Sequence, residues 1–170
     1  MKNLFPGNFR LGLGVAALVA ALDQLAKWWL LEVFLLPYRG VVEVFPFFNL
    51  VMVWNRGVSF GMMNSSGDIG RWFLMAVSLV IVTVLVLWLC RVKSRLLLLA
   101  IGLVIGGALG NLIDRARFGA VADFIELHAA GYAFYVFNIA DSAISIGVAL
   151  LLWDAIFDGE GKTSSPSATQ

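Results

Sequence analysis

Two single aspartates, Asp123 in "AVADFIELH" and Asp141 in "FNIADSAIS", stand among apolar neighbours in a 170-residue chain that is 61% hydrophobic. Two carboxyls held a few ångströms apart cannot both ionise easily, so one keeps a proton while the other acts as base. Such a dyad activates water against a peptide carbonyl without a covalent intermediate, and it titrates as a unit. Each residue also has a plainer reading. With Asn138 starting a helix, Asp141 falls three residues on, where a carboxylate favours the helix dipole. Asp123 reads equally as an exposed loop acid on a strand end, although Val121, Phe124 and Ile125 argue for partial burial. If the two pair, the helix N-terminus favours charge on Asp141 and leaves Asp123 more often protonated.

Other chemistries find fewer residues. A single cysteine, Cys90, excludes an intramolecular disulfide and argues against zinc, as does the lone His128. HExxH, the P-loop and the Rossmann fingerprint GxGxxG are all absent from the sequence. No metal or cofactor is expected. A serine–lysine arrangement stays open, with Lys27 near Ser59 or Ser142, but it leaves both aspartates idle. The net charge of +1 and the lack of a basic tract speak against nucleic acid as a partner.

The elements that must position these residues are membrane spans. Mean hydropathy is +0.90 and only 14% of residues are charged, against about 25% in soluble domains. A spanning helix needs roughly 20 mainly apolar residues. Trp72 to Leu89 and Leu96 to Ile113 qualify, the second interrupted only by Asn111. A further span covers Leu11 to Leu31 and contains Asp23 and Lys27, and a last one runs from Asn138 to Trp153 with Asp141 in it. Lys2 and Arg10 before Leu11 to Leu22 also fit a cleaved signal peptide. Apolar character resumes at Trp28, Trp29 and Leu30, which favours a retained helix. The fold class is therefore an all-α membrane protein of four transmembrane helices.

Arg91, Lys93 and Arg95 in the tight connection "CRVKSR" place that loop, and with it both termini, on the cytoplasmic side. Trp28, Trp29, Trp72, Trp88 and Trp153 fall near span ends, as an aromatic belt requires. In this topology Asp23 and Lys27, the Asn111–Asp114–Arg115 end of the third span, and Asn138 and Asp141 all lie at the outer level, with Asp123 in the adjoining loop. Ionisable groups are costly in a membrane and mark interiors or wet cavities; a co-planar set reads as a site. A proton-coupled transporter would need polar groups through the full thickness, and the inner half of each span is nearly empty of them. A non-catalytic assembly factor would tolerate Asp→Asn at both positions.

Individual polar motifs keep alternatives. Asn138, Asp141, Ser142 and Ser145 form a polar stripe expected to look into the bundle. Asp23 and Lys27, acid first at i, i+4, read as a structural pair tying the first helix to its neighbours. Gly102, Gly106 and Gly110 at four-residue spacing read as close helix packing. Arg115, on one face with Asn111, either snorkels to headgroups or holds a substrate carbonyl. Between the first two spans, "VVEVFPFFNLVMVWNRG" predicts short strands on the outer membrane surface, with a turn at Asn55-Arg56-Gly57. "SFGMMN" adds a helical turn and "VADFIEL" a further strand. One domain is expected over residues 1–157, followed by a disordered cytoplasmic tail over 158–170.

"DQLAK", "NRGVSFG", "GGALGNLIDR", "VADFIEL" and "FNIAD" occur in that order. Together they closely resemble bacterial lipoprotein signal peptidase, the signal peptidase II family. The resemblance covers the chain from first span to last. It implies an aspartic endopeptidase of the bacterial cytoplasmic (inner) membrane that removes signal peptides from prolipoproteins, cutting before a cysteine that carries diacylglycerol. It implies Asp123 and Asp141 as catalytic, and Asn55, Gly57, Asn111, Arg115 and Asn138 as substrate-binding or supporting residues. Membrane lipids and the lipopeptide inhibitor globomycin are the further partners it implies. Ala26, where the family often has a hydroxyl residue, and Val58-Ser59, where small residues are common, depart from the pattern without touching the dyad.

Overall fold

A computed structural model describes residues 7–57, 68–129 and 132–157. Ser59, the turn expected in "SFGMMN" and the tail from 158 lie outside the described residues. Four helices dominate: α1 (Gly7–Trp28), α2 (Asp68–Leu89), α3 (Arg95–Phe118) and α4 (Ile139–Phe157). Each is long and apolar enough to cross a membrane, and the span of α1 continues to Val33. They overrun the expected spans by a few residues because polar ends such as Arg115 and Arg117 still close backbone bonds. Ser94 caps α3 at its start, accepting from the Leu97 N–H, and Gly119 ends it in the left-handed region at φ 76°, its N–H bonding the Arg115 carbonyl.

Helix α3 is the axis of the bundle. Its Gly102 and Gly106 face Gly12, Val15, Ala16 and Val19 of α1, where a Cβ on Gly106 would come within 2.6 Å of the Ala16 carbonyl oxygen. Those contacts rise in step along both helices, so α1 and α3 run parallel. Gly107 meets Ala140, and Gly147 meets Ala100 and Val104, so α4 runs antiparallel on the neighbouring face. Lipid gives helices no hydrophobic reason to associate, and small residues that let backbones touch supply the attraction instead. The expected packing role of the glycine series is met. At the far end of the bundle Phe9, Val82, Leu89, Val92 and Leu98 close an apolar cluster with Ile101 and Ile105. The five belt tryptophans are all exposed.

After α1 a π-helical turn (Trp29–Val33) and a 3-10 turn (Leu36–Tyr38) redirect the chain into a small antiparallel sheet of β1 (Val42–Phe45), β2 (Phe48–Asn55), β3 (Val121–Ala129) and the two-residue β4 (Tyr132–Ala133), in that order. The strands read from "VVEVFPFFNLVMVWN" and "VADFIEL" are both present. Between β2 and β3 the register shifts after Leu50↔Ile125, so that Val53 faces Asp123 and Asn55 faces Val121. A one-residue slip turns side chains to the opposite face. Without this bulge Asn55 would point away from Asp123. With it, the two share a face as diagonal neighbours.

Candidate active site

Asp123 is the third residue of β3, with 1% of its surface exposed. From the β2 edge, Asn55 Nδ2 donates to its Oδ2 at 3.0 Å. The amide of Asn55 cannot turn over, because its Oδ1 accepts the Gly57 N–H at 2.8 Å. Gly57 reaches that position at φ 92°, a left-handed conformation that favours glycine. On the other edge of β3, Phe137 exchanges backbone bonds with Ile125 at 2.8 and 3.0 Å. That pairing delivers the next residue, Asn138, whose Nδ2 donates to Asp123 Oδ1 at 2.6 Å.

Asn138 also starts α4. Its Oδ1 accepts the Asp141 N–H at 2.9 Å, and Asp141 Oδ2 accepts the Asn138 N–H at 3.3 Å. This reciprocal cap satisfies two of the donors that a helix start leaves free. The other carboxylate oxygen, Oδ1, accepts from Asn111 Nδ2 at 2.7 Å. Asn111 Oδ1 in turn accepts from Asn138 Nδ2 at 3.1 Å. Both carboxyls are therefore bonded to one residue, Asn138, which reaches that of Asp123 with its side-chain amide and that of Asp141 with its backbone N–H. The plain reading of Asp141 as a helix-start carboxylate is met by this cap.

Burial raises the Asp123 carboxyl from the ordinary aspartate range to about 6; the hydrogen bond from Asn55 opposes the shift, and the nearby Asp141 adds to it. Asp123 borders an open cleft of about 720 Å³, together with Asn55, Gly57, Leu74, Arg115 and Tyr135. Tyr135 Oη accepts the second N–H of the Asn55 amide at 2.8 Å. Asp141 does not line this cleft and is half-buried beside Asn111.

The remaining expected residues fall as follows. Arg115 Nη1 bonds the backbone carbonyl of Asn111 at 3.3 Å, its guanidinium facing the cleft and within electrostatic reach of Asp141 and Asp123. Asp23 and Lys27 do pair, at 2.7 Å. Lys27 has a further carboxylate at 2.7 Å, that of Asp114, so the expected pair is part of a trio. Asp114 was legible only as a polar residue at the right level, and Gln24, which bonds Asp114 Oδ1 at 2.8 Å, carried no signal at all. The inward polar stripe of α4 is corrected at one position. Asn138 is buried and Asp141 and Ser142 are half-buried, but Ser145 is exposed. Ser142 needs no partner across the bundle, since its hydroxyl donates to the Asn138 carbonyl one turn back at 3.0 Å. Lys27 directs its three donors at Asp23, Asp114 and Asn111, which leaves none for the serine–lysine arrangement with Ser142.

Four membrane-length helices with a buried carboxyl-bearing site at one end define a multi-pass membrane protein built around a polar site. The profile of the Signal peptidase (SPase) II family matches residues 15–157. Among curated relatives, "Lipoprotein signal peptidase" of Methylobacterium sp. (strain 4-46) is 48% identical over 86% of this chain and 89% of its own. That of Methylorubrum extorquens (strain PA1) is 49% identical over 87% and 86%. A solved structure described as a bacterial membrane enzyme superposes with a TM-score of 0.74 at 30% identity, over 91% of this chain and 93% of that one. The chain belongs to the signal peptidase II family of aspartic proteases.

Proposed function

We propose that the protein removes signal peptides from prolipoproteins at the outer face of the bacterial cytoplasmic membrane, cutting before a diacylglyceryl-modified cysteine. In this reading Asp123 and Asp141 activate the attacking water. The observation that carries it is the bonding of both aspartates to Asn138 beside an open cleft. Family membership supports the substrate class. The basic connection between α2 and α3 supports a cytoplasmic location for that turn and both termini, with the sheet and the site on the outer side. Residues 1–157 then form the peptidase domain and 158–170 a cytoplasmic tail.

The chemistry follows from the two environments. Asp141, at the start of α4 with two donors on its carboxylate, is the charged partner. Asp123, raised to about 6 by burial, is the partner that keeps the proton. Asp141 takes a proton from water as the water oxygen bonds to the scissile carbonyl carbon, and Asp123 gives its proton to the carbonyl oxygen. The resulting diol collapses. Asp141 passes its proton to the leaving nitrogen, Asp123 recovers one from a diol hydroxyl, and the C–N bond breaks. An acid and an amine leave, and the pair again holds one proton. Arg115, facing the cleft, orients the peptide carbonyl, while Asn55, Asn111 and Asn138 hold the two carboxyls. The apolar residues of the cleft face the signal helix and acyl chains, and a lipopeptide such as globomycin would compete for the same space.

Asp123→Asn and Asp141→Asn test this directly in a gel assay of prolipoprotein processing. Loss of the acid or base is expected to lower cleavage by about 10³-fold, with membrane insertion unchanged. Normal processing by either variant would overturn the mechanism.

A further inference from the structure

Behind the two aspartates lies a cluster that the reaction does not use. Asp23 and Asp114 are fully buried and Lys27 is 2% exposed. Lys27 Nζ stands 2.7 Å from Asp23 Oδ2 and 2.7 Å from Asp114 Oδ2, with Asn111 Oδ1 at 3.5 Å. Two carboxylates share one ammonium, so each needs further donors, and the source of those donors is informative. Asp23 Oδ1 accepts the N–H of Ala140 at 3.0 Å. Asp114 Oδ2 accepts the N–H of Ala122 at 3.1 Å. Ala140 immediately precedes Asp141, and Ala122 immediately precedes Asp123. Gln24 closes the arrangement, donating to Asp114 Oδ1 at 2.8 Å and to the Gly110 carbonyl at 3.2 Å.

We propose that Lys27, with Asp23 and Asp114, is a clamp that fixes the spacing of Asp123 and Asp141 by holding the peptide N–H just before each of them. This rests on the catalytic assignment of the two aspartates. A lysine side chain from α1 thus joins two carboxylates, one from α1 tied to α4 and one from α3 tied to β3. Buried ion groups of this kind are poor sources of net stability, because desolvation offsets their attraction; fixing a geometry is a better use for them. Gly110 makes room for the clamp, since a Cβ there would lie 2.6 Å from Asp23 Oδ2. Lys27, Asp23 and Asp114 are positioning residues that touch no substrate.

The experiment combines steady-state cleavage with hydrogen exchange at the Ala122 and Ala140 amides of the full chain in lipid nanodiscs. Asp114→Ala is expected to raise exchange at Ala122 by about tenfold or more and leave Ala140 within about threefold, and Asp23→Ala to do the reverse. Lys27→Met raises both. A misplacement near 1 Å costs about 10²-fold in rate, so all three variants are expected to lose about that in kcat with KM held within about threefold. Wild-type kcat in Lys27→Met would overturn the clamp, and so would a loss of kcat with both amides as protected as in wild type. Should Lys27→Met fail to fold, the two aspartate variants decide, because each leaves Lys27 one carboxylate. Retained cleavage by Asp123→Asn or Asp141→Asn would instead overturn the catalytic reading, and the exchange pattern judges the clamp separately.

Discussion

The two ends of the bundle are built by opposite rules. At one end Phe9, Val82, Leu89, Val92 and Leu98 pack into one apolar cluster. At the other, side-chain bonds at Asp23, Lys27, Asn111, Asp114, Asp123, Asn138 and Asp141 each demand a particular partner at a particular angle. Close packing is non-directional and tolerates exchange of similar volumes. A buried polar network is costly when any member is lost, because the orphaned group keeps its desolvation penalty. The first end packs helix against helix, and the second sets where the carboxyls of Asp123 and Asp141 lie.

That contrast is easiest to break at Asn138. Asn138→Ala removes the cap of α4 and a hydrogen bond to Asp123 in one step. We expect kcat to fall about 100-fold, as misplaced reacting groups do, and stability to drop by about 1 kcal/mol, the usual cost of a lost cap. Steady-state cleavage and thermal denaturation in the same detergent measure both. A large loss of stability with normal turnover would reverse the roles given to the two ends.

A smaller effect sharpens the electrostatic half. Above about 6 Asp123 gives up its proton and the pair carries two charges, so kcat/KM is expected to fall on the alkaline side. The hydrogen bond from Asn55 favours the charged form of Asp123. Asn55→Ala should therefore move that limb to higher pH while lowering the maximum by up to about tenfold, the worth of one hydrogen bond. A pH–rate profile of each protein checks the sign. Movement to lower pH would assign the limb to another group.

The smallest effect on activity belongs to the apolar end. Leu98→Ala empties a fully buried position and is expected to cost on the order of 2 kcal/mol. Turnover at a temperature where the protein remains folded should stay within about threefold of wild type. A drop in kcat matching that of Asn138→Ala would mean that the two ends are not separable.

The difference between the ends also governs what could be read from the sequence. Span positions follow from apolar run length, a local property, and the helices α1 to α4 lie where Leu11, Trp72, Leu96 and Asn138 placed them, with longer ends. The Asn138–Asp141 cap was legible because its partners are three residues apart. The glycine series was legible from its spacing. The bonding of Asp114 to Gln24 was not, since the two lie 90 positions apart along the chain. The trio around Lys27 therefore appeared as a pair. The bulge between Leu50 and Val53 left no mark in composition, yet it decides whether Asn55 can reach Asp123 at all. Ser145 was misread because a helical stripe was extended one turn further than its partners reach.

Asn138 and Asp141 both belong to the start of the last helix, while Asp123 precedes them in β3. A growing polypeptide that has emerged only as far as β3 carries Asp123 and its partner Asn55 but neither Asn138 nor Asp141. On the proposed mechanism, cutting power arrives late in biogenesis, when α4 threads into place. A truncated translation product would be inert towards its neighbours in the bilayer.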